Sequence, residues 1–108
     1  MTTVEQSWLA RVATPLLVRK LTNAGFLPDA QAGDRQALAL AEEVGEFVGA
    51  YRRWSGQARR RGSRLDMELE LADVVTTAYI TAHYLGIDLD ARIAEKCLVV
   101  LERPGREV

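Results

Sequence analysis

The sequence predicts an all-α fold of the four-helix-bundle kind, and three observations carry that expectation. Apolar residues recur at helical spacing, and no segment alternates with period two for long enough to make a strand. Prolines, glycines and capping residues cut the chain into four helix-length pieces. The third piece is apolar around roughly two-thirds of its circumference, as suits a helix at the centre of a bundle.

Each element has its own local reason. Thr3 and Gln6 form a capping box that opens a first helix, with Val4, Trp8, Leu9 and Val12 on its apolar side. Pro15 kinks or restarts that helix, since proline is tolerated in a first turn but not in an interior. Leu16, Leu17, Val18 and Leu21 continue it to a stop at Gly25. Residues 25–33, which include Pro28 and Asp29, read as a loop. Asp34 is the expected N-cap of a second helix running to about Trp54. Ser63 with Asp66 makes a capping box for the third, which reaches about Leu85 before Gly86. Asp88 caps a last helix, stopped by Pro104 and Gly105.

At 108 residues the chain has room for one core, so residues 1–108 are expected to form a single domain. Its 48% hydrophobic content argues against disorder. With 14 basic against 15 acidic residues the net charge is −1, which gives no global reason to expect membrane or specific nucleic-acid binding. The single cysteine, Cys97, excludes an internal disulfide and a cysteine zinc cluster, and the single histidine, His83, excludes a two-histidine site. No apolar run approaches the ~18 residues of a membrane span. Glu5, Arg11, Arg19 and Lys20 interrupt the N-terminal stretch, unlike a secretory leader, so the cytoplasm is the expected compartment.

The chemistry lies on the second and third helices. On the third, a narrow strip of Asp66, Glu70, Asp73, Thr77 and Thr81 is flanked on both sides by apolar surface, where a carboxylate is expensive unless its charge is compensated. On the second, Leu40, Ala41, Val44, Phe47, Val48 and Tyr51 form an apolar face, with Glu42, Glu43 and Glu46 opposite. That acidic side carries the small Ala39 and Ala50, and nothing basic lies within one turn of Glu43 or Glu46. The spacing Glu43-x-x-Glu46 and Glu70-x-x-Asp73 puts each carboxylate pair on one helix face. A short connection makes the helices antiparallel neighbours, able to present the pairs to each other. Four carboxylates converging there repel unless a cation sits between them, and all-oxygen donors suit Mg²⁺ or Mn²⁺ better than zinc.

Residues 52–64 connect the two pairs and contain six arginines and no acid. Alone they read as a solvated basic loop, or one that binds nucleic acid weakly. Beside a metal site, guanidinium forks match phosphate oxygens, which points to a polyphosphate substrate and to Arg59, Arg60 and Arg61 as its contacts.

These residues resemble a known family. The run 40–47, with Glu42, Glu43, Val44, Gly45 and Glu46, is similar to the "EEvGEl" motif of the MazG-like all-α nucleoside triphosphate pyrophosphohydrolases. Glu70-Leu-Ala-Asp73 resembles their "ELaDvl" motif, and Gly86-Ile-Asp-Leu-Asp90 followed by Lys96 resembles the "GIDL…K" continuation. The likeness spans about residues 34–103, with 1–33 as an N-terminal helix and loop. It implies Mg²⁺-dependent conversion of a nucleoside triphosphate, ribo or deoxy, to the monophosphate and pyrophosphate, with a role in cleansing the nucleotide pool. It implies Glu43, Glu46, Glu70 and Asp73 as metal ligands, Glu42 as a residue holding or activating water near the metal, and Lys96 and Arg103 as phosphate contacts. Proton-transfer chemistry makes Glu46 a second candidate to orient the water or take its proton. Val99 and Val100 depart from the family, which often has lysine and asparagine there. An alternative is a non-catalytic, regulatory helical binding module that keeps the fold.

Four residues are given bland roles. His83 lies on the apolar arc as a core histidine, Cys97 as a buried small hydrophobe, and Trp8 and Trp54 as packing or base-stacking groups. The apolar surplus on the third and fourth helices predicts a homodimer or homotetramer that completes the bundle.

Overall fold

The computed structural model describes residues 5–25 and 31–104, and every regular element among them is helical. A π-helical turn, Leu9–Ala13, runs directly into α1, Thr14–Asn23. The others are α2, Ala32–Trp54, α3, Arg64–Leu85, and α4, Leu89–Leu101. The all-α, four-helix reading therefore stands.

Thr3 of the expected capping box and the apolar Val4 lie outside the described residues, as do Pro28, Asp29 and Gly105. Among the described ones Ser7 does the capping, its hydroxyl accepting from the Ala10 N–H at 3.1 Å. Pro15 restarts the helix: it sits in the first turn of α1, and the wider π turn before it absorbs the missing donor. There the Thr14 N–H and hydroxyl both bond the Leu9 carbonyl, the hydroxyl at 2.7 Å.

One boundary is corrected. Helix α2 begins at Ala32, with Gln31 before it and no side-chain cap, so Asp34 lies inside the first turn. Gly33 is helical, and a Cβ on it would come 3.1 Å from Leu85 Cδ2, so its bareness serves close helix approach rather than chain breaking. The other expected caps are present. Ser63 Oγ accepts from the Asp66 N–H at 3.0 Å, Asp88 Oδ1 accepts from the Ala91 N–H at 3.1 Å, and Gly86 ends α3 at φ +69°.

Helices α2 and α3 form the main packing pair. Residue 33 meets 85, the Thr81 hydroxyl reaches the Gln36 carbonyl at 3.1 Å, and the Gly62 N–H bonds the Arg53 carbonyl, so one helix rises as the other descends. The N-terminal segment packs on α3 and is tied there by Asp90, at the start of α4. Its carboxylate accepts from the Tyr79 hydroxyl at 2.6 Å, the Ser7 N–H at 2.7 Å and the Ser7 hydroxyl at 3.1 Å. These bonds hold the Asp90 carboxyl below the usual carboxylate range.

Beyond that node α4 makes no substantial contact with any other helix among the described residues. Among the described residues the buried ones are few and mostly small: Ala32, Ala50, Ile80 and Ala82, with Thr14 and Thr81. On α4, Leu98 is 58% and Leu101 78% exposed. The face expected to be the apolar side of α2 is also partly outward, since Val44, Val48 and Tyr51 are exposed. His83 and Cys97 are corrected likewise. Both are exposed, because among the described residues no helix packs fully over their faces. His83 stands edge-on to the Tyr84 ring, with centroids 5.4 Å apart, and lines a cavity of about 130 Å³ between the N-terminal segment and the α3–α4 junction.

Candidate metal centre

The outward turn of Val44 and Val48 has a counterpart: the acidic side of α2 is turned toward α3. Ala50 is buried, and Ala39 and Glu43 are half-buried on that side. Small alanines let the helices approach, and the i, i+3 spacing carries the carboxylates into the gap. Glu43, Glu46 and Glu70 each offer an oxygen, and these lie within 4.8 Å of one another. Glu43 Oε2 and Glu70 Oε2 are buried and have no hydrogen-bond partner.

The electrostatics match that crowding. Burial, then the negative charges of Glu46, Asp73 and Glu70, push the Glu43 carboxyl above its ordinary value of 4.5. Burial, then Glu46 and Asp73, push Glu70 up in the same way, while Arg53 draws it partly back. The nearness of the Glu46 carboxyl raises both. A buried oxygen without a donor beside like charges is satisfied by a cation, and an all-carboxylate set fits a hard dication. The arrangement can hold a divalent metal such as Mg²⁺.

Asp73 lies close enough to act on Glu43 and Glu70 electrostatically, but outside the three whose oxygens converge. Glu42, next along α2, is exposed. Arg59, Arg60 and Arg61 are exposed in the loop between α2 and α3. Arg61 folds back so that a Cβ on Gly56 would lie 3.4 Å from its Cζ. Lys96 and Arg103 are carried on and just past α4, which does not pack along the α2–α3 pair. Trp54 is a packing residue, lying 5.9 Å from the Tyr51 ring and 5.2 Å beneath the Arg64 guanidinium.

Sequence reasoning missed Arg53 as an individual. It counted among six arginines, yet it stands seven residues, two helical turns, after Glu46 and so shares its face. That spacing was the available signal.

No protein-family model matches the chain, and no curated protein and no solved structure matches it. Among the described residues, no helix is long and apolar enough to cross a membrane.

Proposed function

We propose that this chain is a metal-dependent nucleoside triphosphate pyrophosphohydrolase of the MazG-like kind, releasing a nucleoside monophosphate and pyrophosphate. The observation that carries the reading is the convergence of Glu43, Glu46 and Glu70 around two buried, partnerless oxygens. Glu43, Glu46, Glu70 and Asp73 would hold Mg²⁺ or Mn²⁺. When bound, such an ion neutralises phosphate charge and acidifies water.

The remaining steps fall to the chain's own side chains. The oxygen of a water molecule attacks the α-phosphorus as the bond from that phosphorus to the α–β bridging oxygen breaks. Glu46 or the exposed Glu42 takes the water's proton, and pyrophosphate leaves with the bond's electron pair. Arginines of residues 52–64 offset the charge that builds on the leaving group. Lys96 and Arg103 join the site only in an assembled homodimer or homotetramer, because α4 stands away from its own α2–α3 pair. The exposed apolar faces of α2, α3 and α4 support such an assembly.

Pyrophosphate and monophosphate release from a panel of canonical and modified triphosphates, with and without Mg²⁺ or Mn²⁺, tests the reading. Metal-dependent release from at least one substrate is the expected outcome. A folded, metal-loaded protein that releases pyrophosphate from none of them sinks it in favour of a binding module.

A further inference from the structure

Of the six arginines in residues 52–64, three have visible occupations besides Arg53. Arg64 lies over Trp54 and pairs with Glu68 at 3.1 Å. Arg52 bonds the Gln57 carbonyl at 3.5 Å, and Arg61 folds over Gly56. Arg59 and Arg60 are exposed. Arg53 differs from all of these in being half-buried and held in a slot made by two glycines.

The slot is specific in its atoms. A Cβ on Gly62 would come 3.0 Å from Arg53 Cβ and 3.7 Å from its Nε, and the Gly62 N–H bonds the Arg53 carbonyl at 3.2 Å. A Cβ on Gly49 would come 3.3 Å from Arg53 Nη1. Any side chain at either position would crowd the arginine. Helical side chains lean toward the N-terminus, so from position 53 the guanidinium reaches back over Gly49 in the direction of Glu46. Arg53 nonetheless makes no ion pair with a described carboxylate. A cation positioned at the edge of an acidic cluster, yet bonded to none of its members, keeps its fork of donors for an incoming anion.

We infer that Arg53, seated between Gly49 and Gly62, is the residue that grips a phosphate group of the substrate at the edge of the carboxylate cluster. The inference rests on the metal-centre reading above and names one arginine within it. Guanidinium geometry matches two phosphate oxygens at once, which a lysine cannot reproduce. A residue that only balanced the carboxylates' charge would alter metal binding; one that grips phosphate alters phosphate binding and leaves the metal alone.

Calorimetric titration separates these roles, using Mn²⁺ alone and then inorganic pyrophosphate at saturating Mg²⁺. Wild type, Arg53→Ala and Arg53→Lys are compared, the lysine variant keeping the charge and the fold should alanine disturb packing. The expected result is Mn²⁺ affinity unchanged within about threefold, with pyrophosphate affinity lowered by about tenfold or more in both variants. Unchanged pyrophosphate affinity in either folded variant overturns the assignment to Arg53 while the metal centre stands. A wild-type chain that binds no Mn²⁺ overturns both.

Discussion

Glu43 and Glu70 behave oppositely to most protein carboxylates, and the sign follows from their surroundings. Both are pushed above 4.5 in the folded chain, so there the folded state holds protons that the unfolded state has already released. The metal-free protein should therefore lose stability as pH rises from about 4.5 through the raised values. Asp90 works the other way in a lower window, its contribution being lost as pH falls from 3.8 through its depressed value. Thermal melts across pH check this: Glu43→Gln should flatten the decline above 4.5, and an unaltered slope would contradict it. Added Mg²⁺ should raise the melting temperature more at neutral pH than below 4.5, because the ligands must be deprotonated to bind. The acidic residues were legible because i, i+3 spacing is a local property that survives folding. Arg53 was hidden in a crowd of identical side chains: in the sequence only its seven-residue spacing from Glu46 marks it, and in the fold the glycines at 49 and 62, one of them in a loop, single it out.

The helices owe their ends to short-range chemistry, which is why most of them could be read in advance. Ser63→Ala should cost about 1 kcal/mol through the lost cap on α3. Gly86→Ala should cost roughly 1 kcal/mol from backbone strain alone, since no other atom lies within 4 Å of where the new Cβ would go. Denaturant melts measure both, and a neutral Gly86→Ala would contradict the left-handed cap. Asp90→Ala removes three hydrogen bonds from a half-exposed carboxylate. It should destabilise by about 1.5 kcal/mol and speed amide exchange in residues 7–23 ahead of α2 and α3. Where the reading slipped, the deciding contact was distant in sequence. Gly33 looks like a breaker until Leu85 is placed against it, and the apolar arcs holding His83 and Cys97 do not say which neighbour covers them.

At the level of the molecule, the chain is extended for its length. Its radius of gyration is 16.6 Å, against about 13 Å for a compact domain near this length. No large side chain among the described residues is fully buried. Assembly should therefore supply the missing core, with a melting temperature that rises with protein concentration. Sedimentation should show a dimer or tetramer, and Leu98→Glu with Leu101→Glu on α4 should weaken it; a monomer melting independently of concentration would contradict this. The claim on which the functional account turns is that the carboxylates of α2 and α3 are its working centre. The most direct test is Mg²⁺-dependent pyrophosphate release by wild type beside Glu43→Ala and Asp73→Ala, with circular dichroism confirming that each variant is folded. The account predicts release by the wild type and its loss in both folded variants. Full activity in either one would contradict it.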